Sequence, residues 1–457
     1  MASFARHPSH PYNRHQHNPN PSRRHGQDME MQQPRSHGRN HGKIERDVTS
    51  PIPDPELTRP GRRGCNPFRA FVIMLRSSSS LGACTNVLLP FVPVGLVLHW
   101  LKPDLHLWIF LTNYLAMVPM ANSLAFSSAQ FSRRLPRVLG VIIQLTVASA
   151  VEVILCLVLL FKNEFQVIQA AIIGSMLANL LLCTGLCFIV GGIRTKAQEF
   201  SETVAETGGG LLLVSVASLM LPCAFYESIS AMNRLTADEL NHKILHISRF
   251  SAVLLLIAYA TYLFFQLATH HSEFDQALYE SAQRNKDRAD NVRRENLTVG
   301  EAAFMTLISL TFVTLHAVFL VEEIHWIVSH RHVSDAFMGL ILVPLVEKAA
   351  EHLKGIDEAW DDAMDFALSH LLGSTIQTAL LVSPIIVLAG WIAHRPFNLN
   401  FEVFMVIVLV FSVLVVGNFI KDRKSNYLEG ALCVIFYIMI AVTTWYYPSP
   451  ESMEEGH

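Results

Sequence analysis

Two glutamates stand where a membrane-buried helix should carry no charge. Glu152 lies in "ASAVEVILC", inside an apolar run of 24 residues, 138–161. Glu351 lies in "LILVPLVEKAAEHLKGIDEAW", where Glu347, Lys348 and His352 follow a membrane-grade apolar stretch. An ionised carboxylate at mid-membrane costs at least about 2.5–3.5 kcal/mol on insertion scales, so it needs a cation, a proton or a partner. Hard cations such as calcium take carboxylate, carbonyl and hydroxyl oxygens. Two carboxylates held close disfavour each other's ionised form, so an empty pair picks up protons. Cation and proton then compete for the same oxygens, which is the core of antiport. The alternative is that each glutamate is protonated or paired simply to stabilise packing.

The spacing says more than either residue alone. From Glu152 to Gly174-Ser175 is 22 residues, and from Glu351 to Gly373-Ser374 is also 22. The two modules are five candidate spans apart, and an odd number of crossings inserts the second copy upside down. Inverted repeats with polar or broken helices at the midplane mark secondary transporters. Glu152 and Glu351 are the expected cation and proton ligands, with Ser149, Glu347, Lys348 and His352 beside them. Pro344 removes a helical hydrogen bond and frees the Leu340 carbonyl, while Gly174 and Gly373 allow close backbone approach. Ser175, Ser374, Asn179 and Gln377 offer neutral oxygens one helix further on, though each could also be ordinary helix–helix glue.

The elements that must hold these residues are transmembrane helices. The chain of 457 residues is 51% hydrophobic and only 16% charged, against about 25% charged for soluble proteins. The expected fold is an all-α polytopic membrane protein. Spans of about 20 apolar residues read at 83–101, 105–126, 138–161, 167–191, 209–232, 246–269, 301–322, 336–355, 368–393, 400–420 and 429–447. That is one extra helix plus two inverted sets of five: 81–269 with the extra helix, a polar linker 270–300, and 301–448. Residues 1–60, rich in Pro, Arg and seven histidines, cannot bury enough surface to order themselves and read as a disordered cytosolic tail. Arg62, Arg63, Arg69, Arg76, Arg133, Arg134, Arg137, Arg194, Lys196, Lys421, Arg423 and Lys424 fall on the side of the linker, which places linker and N-terminus in the cytosol. The sequon at Asn296 then faces the wrong side for glycosylation.

Other chemistries are excluded. The seven cysteines form no CxxC or zinc pattern, and Cys84, Cys156, Cys183, Cys187, Cys223 and Cys433 read as small hydrophobes in apolar runs. "EKAAEH" lacks the first histidine of H-E-x-x-H, and neither G-x-S-x-G nor a phosphate-cradling loop occurs, so no enzyme is expected. The net charge of −3 and the lack of a basic stripe argue against nucleic acid. The expected partners are membrane lipid, inorganic cations and protons; no cofactor is expected, Ca2+ and H+ being cargo. The sequence fixes no oligomeric state. "KGIDEAWDDAMDF", with Asp357, Glu358, Asp361, Asp362 and Asp365, reads either as a solvated acidic entrance or as an ordinary charged loop.

At these residues the chain resembles the calcium/cation–proton exchanger (CAX) family. "VIQAAIIGSMLANLLLCTGLCFIVGG", "SRFSAVLLLIAYATYLFFQLATH", "LLGSTIQTALLVSPIIVLAGW" and "KDRKSNYLEGALCVIFYIMIAVTTWYYP" read as family segments, and the likeness covers 75–448. It implies export of calcium, and sometimes other cations, from the cytosol into an acidic vacuole in exchange for protons. The departures fall in the signatures. The family's G-N-A-V-E is here Ala148-Ser149-Ala150-Val151-Glu152, and its G-N-A-A-E-H is Glu347-Lys348-Ala349-Ala350-Glu351-His352. Both glutamates survive and both asparagines, ion ligands in the family, are replaced. Lys348 offers only donors. Three readings stay open: Lys348 turns away or deprotonates and a divalent cation is carried; Lys348 is a resident cation favouring monovalent exchange; or it plugs the site in a non-transporting regulatory relative.

Overall fold

In an apolar surround every backbone amide must be satisfied within its own segment, which makes each span a helix. A computed structural model describes residues 66–77, 80–232, 235–270, 297–331 and 333–447. Contacts divide the chain into Met1–Ile52 and Pro53–His457, and every described residue belongs to the second unit. The expected tail 1–60 and most of the linker lie outside the described residues.

Three short helices come first: α1 (Pro67–Ser77), α2 (Ser80–Thr85) and α3 (Phe91–Leu101). The first set of five follows as α4 (His106–Ser132), α5 (Arg137–Lys162), α6 (Phe165–Arg194), α7 (Glu202–Met232) and α8 (Ala237–Phe264). The second set comprises α9 (Val299–Arg331), an interrupted helix formed by α10 (335–347) and α11 (Ala349–Trp360), α12 (Met364–Ile392), α13 (Val403–Phe419) and α14 (Tyr427–Trp445). Among the described residues nine helices are long and apolar enough to cross a membrane. Two of the eleven expected spans differ. Residues 83–101 form shorter pieces that meet at Pro90. Span 336–355 is divided at Lys348, whose backbone (φ −88, ψ 2) leaves the helical well.

Local chemistry sets the starts. Thr236 caps α8 in a reciprocal capping box with Glu239, Asn426 accepts from the Glu429 amide, and Ser334 from the Phe337 amide at 3.0 Å. Each satisfies a donor that a helix start leaves open. Thr298 and Glu301 form the same box before α9, and Glu301 also accepts from the Asn66 amide, tying α1 to the second set.

The two sets exchange contacts. α4 runs along α9, α7 lies on the first half of α12, and α13 on the first half of α6. Likewise α8 packs on the second half of α12 and α14 on the second half of α6. Each set thus completes the other, as a pseudo-two-fold arrangement requires. α6 and α12 form the centre: 72% of each apolar window is buried, against 17% for α8 and 28% for α14. Both central helices widen into a π turn just past the Gly-Ser pair, at Ala178–Cys183 and Thr378–Val382. Such turns mark functional positions in helices.

At one end a two-stranded antiparallel ribbon, β1 (Gln198–Glu199) and β2 (Lys424–Ser425), joins the loops after α6 and α13. It fastens the acidic loop. Gln198 Nε2 donates to the Ala359 carbonyl, and the Ser201 amide donates to Asp365. Arg194 donates to the Trp360 carbonyl, pairs with Asp361 at 3.5 Å and covers the Trp360 ring. Asp361 and Asp365 are buried, which corrects the solvated-entrance reading for these two: they anchor α11 and α12. Of the six cysteines expected in apolar cores, five are buried and Cys84 is exposed.

Candidate ion-binding site

Four charged side chains meet between α5, the α10–α11 break and α12. Lys348 Nζ donates to Glu152 Oε2 at 2.8 Å, and lies 3.6 Å from Glu351 Oε1 and 3.8 Å from Glu347 Oε1. It also donates to Ser374 Oγ at 3.3 Å. Ser374 in turn donates to Glu351 Oε2 at 2.6 Å and accepts from Asn179 Nδ2 at 3.1 Å. Lys348, Glu152 and Glu347 are buried, with side chains 3%, 2% and 1% exposed, whereas Glu351 keeps 13%. The two repeats therefore bring their glutamates onto one ammonium.

The backbone explains how Lys348 gets there. Pro344 cannot donate to the Leu340 carbonyl, and the segment Met338–Leu342 widens into a π turn before it; a missing donor shifts the hydrogen-bond ladder in this way. The Leu340 carbonyl then lies against Gly174, where a Cβ would collide with it. Gly174 is thus the close-approach glycine the sequence predicted. Gly373 is not: nothing lies within 4 Å of the position its Cβ would take. The repeat preserved the glycine, but only α6 is crossed closely, because only the second repeat carries the proline-bent partner.

The remaining expected residues divide in two. Ser374, Asn179, Lys348 and both signature glutamates share the centre. Ser149 and Gln377 make a separate latch beside it: Gln377 Nε2 donates to Ser149 Oγ at 3.2 Å and to the Leu145 carbonyl at 2.8 Å, while Ser149 donates back to Leu145 O. His352 is buried and its carbonyl accepts from Cys183 Sγ. Ser175 is buried on α6. Lys348 does not turn away, contrary to one branch of the first reading. Sequence reasoning missed Thr378, which donates to Glu152 Oε2 at 3.0 Å. Its signal was available, four residues beyond Ser374 and so on the same helix face.

Buried polar atoms without a hydrogen-bond partner gather here: Glu152 Oε1, both Glu347 oxygens, Asn179 Oδ1, Ser175 Oγ and His352 Nε2. Unmet buried oxygens cost free energy, and five of these six atoms are oxygens, the atom type a hard cation takes. Among the described residues no three His, Cys, Asp or Glu side chains already converge as a metal site; Lys348 stands between the carboxylates instead.

The family model described as sodium/calcium exchanger protein matches residues 105–268 and 301–446, one stretch in each repeat. A vacuolar calcium ion transporter of Schizosaccharomyces pombe is 32% identical over 379 residues, 82% of this chain and 88% of that protein. A Ca(2+)/H(+) antiporter of Aphanothece halophytica is 31% identical over 366 residues, 79% of this chain and 96% of its own length. The native YfkE structure superposes with a TM-score of 0.63 at 22% identity, covering 83% of this chain and all of that one. The H+/Ca2+ exchanger CAX structure does so at 0.55 and 12% identity, and both establish the shared fold. The chain belongs to the sodium/calcium exchanger protein family, within which it is allied to the calcium/cation–proton exchangers.

Proposed function

We propose that this chain is a secondary antiporter that moves calcium from the cytosol into the vacuole in exchange for protons, with its N-terminus in the cytosol. One observation carries the reading: Glu152 from the first repeat and Glu351 from the second meet at a single buried centre. The names of the relatives, a vacuolar calcium ion transporter and a Ca(2+)/H(+) antiporter, support the cargo and the membrane. Lysine and arginine on the linker side support the orientation.

Electrostatics decides whether a calcium ion tolerates Lys348. At about 4 Å and an effective dielectric of 20, two unit charges interact by about 4 kcal/mol. Each carboxylate then attracts a divalent cation by about 8 kcal/mol, and the ammonium repels it by about the same amount. Glu152, Glu347 and Glu351 outnumber Lys348 three to one, so the net field favours the cation. Protons on those carboxylates remove the attraction, which makes loading by cation and by proton mutually exclusive. Asn179 and Ser374 would add neutral oxygens.

Proton-gradient-driven uptake of radiolabelled calcium into sealed vesicles holding the purified protein tests this. Uptake is expected from the unmodified protein and is lost in Glu351→Gln; uptake that survives Glu351→Gln removes the site from the mechanism. The position of Lys348 favours a second reading, in which its ammonium satisfies part of the site and a monovalent cation is exchanged. Sodium or potassium uptake without calcium uptake would establish that instead.

A further inference from the structure

The four charges are not equally engaged. Glu152 Oε2 is met twice, by Lys348 Nζ at 2.8 Å and by the Thr378 hydroxyl at 3.0 Å. Glu347 is met by neither: both its oxygens are buried, accept no hydrogen bond, and approach the ammonium only to 3.8 Å. Glu351 flanks the same ammonium at 3.6 Å and is the most exposed of the three carboxylates. Lys348 and Glu152 cancel each other's charge at contact distance, and Glu347 and Glu351 are left with the charge of two carboxylates. One divalent cation balances that pair in charge.

We propose that the exchanging pair is Glu347 and Glu351, both on the second repeat, and that Lys348 remains bound to Glu152 as a resident cation. The inference rests on the antiport reading and relocates its cargo. Three features carry it. Glu347 is a buried carboxylate whose oxygens accept no hydrogen bond and whose one neighbouring cation, Lys348, stands off at 3.8 Å, an arrangement that a closer cation or a proton would relieve. Its neighbour Glu351 keeps 13% of its side chain exposed. The Ser374–Asn179 chain reaches Glu351 from α6 and α12, and Asn179 Oδ1 has no partner of its own. Glu152 by contrast already has its cation.

The test compares two variants of the full chain in sealed vesicles, by initial rate of radiolabelled calcium uptake and by equilibrium calcium binding to the purified protein. Glu347→Gln is expected to lose at least about a hundredfold in both. The double variant Glu152→Gln/Lys348→Met removes that ion pair as a unit; Glu347 and Glu351 then lose the ammonium beside them, so activity falls, but by at least about tenfold less than in Glu347→Gln. Glu347→Asp keeps the charge and is expected to recover at least about a tenth of natural uptake. The proposal is overturned if the double variant loses as much as Glu347→Gln, since Glu152 is then a ligand of the cargo. It is also overturned if Glu347→Asp, eluting as a single species, is as inactive as Glu347→Gln. An unmodified protein that takes up no calcium overturns the antiport reading and this inference with it.

Discussion

The two glutamate helices share the same spacing to a Gly-Ser pair but differ in structure. α5 runs unbroken from Arg137 to Lys162 and presents one carboxylate, Glu152, to the centre. Its counterpart is bent by Pro344, widened at Met338–Leu342 and divided at Lys348, and it presents two carboxylates and an ammonium. The sequence change at the two asparagine positions of the resembled motif was unequal in the same sense. Ser149 folded back onto its own helix, whereas Lys348 reached across to the opposite repeat. The lesson is that two segments matched in spacing can place their charge unequally, most of it on one member. On the proposal above, the straight helix holds the partner of a resident cation and the broken one the exchanging carboxylates.

This contrast can be broken most forcefully at Lys348. Lys348→Met leaves Glu152 and Glu347 buried with no cation, and loss of about 3–5 kcal/mol is expected; thermal unfolding in detergent measures it. Removing one charge from the straight helix with the lysine left in place, by Glu152→Gln, should cost less, because Glu351 and Glu347 still flank the ammonium at 3.6 and 3.8 Å. A smaller effect separates the two glycines. Gly174→Val drives a side chain into the Leu340 carbonyl and should destabilise by about 1–3 kcal/mol. Gly373→Ala meets open space and should be neutral or stabilise by up to about 1 kcal/mol. Equal effects at both glycines would mean that both repeats are crossed closely and would dissolve the contrast.

Thr378→Val removes one of two donors to Glu152 and should cost about 1–2 kcal/mol, again read as a shift in thermal unfolding. Ser149→Ala should do least: its hydroxyl serves Leu145 and Gln377 rather than the carboxylates. Calcium uptake within about twofold of natural is expected, since Ser149 is buried but Gln377 keeps its hydrogen bond to the Leu145 carbonyl without it. A large loss at Ser149 would return the first repeat to the cargo site.

Much of this was readable from the chain. A glutamate inside an apolar run is costly enough that its presence alone points to a partner, and the matched 22-residue spacing to Gly-Ser revealed the repeat before any helix was placed. Pro344 foretold a disturbed helix. Other features depended on three-dimensional neighbours. Whether Lys348 turned inward depended on Glu152 from a distant helix, which sequence spacing cannot orient. Gly373 looked equivalent to Gly174 because the pattern records the residue and not the crossing partner. Asp361 and Asp365 looked solvated because their composition is that of a surface loop; Arg194 and the Ser201 amide, more than 160 positions away in the chain, bury them. Thr378 was overlooked as one of many helical threonines, most of which bond only to their own backbone.

The most direct test of the account is proton-driven uptake of radiolabelled calcium by the unmodified protein, measured beside Lys348→Asn. The account predicts that the unmodified protein takes up calcium with its lysine in place, because three carboxylates outweigh one ammonium. Uptake that appears only in Lys348→Asn would contradict it, and would make Lys348 a plug in a protein that has left transport behind.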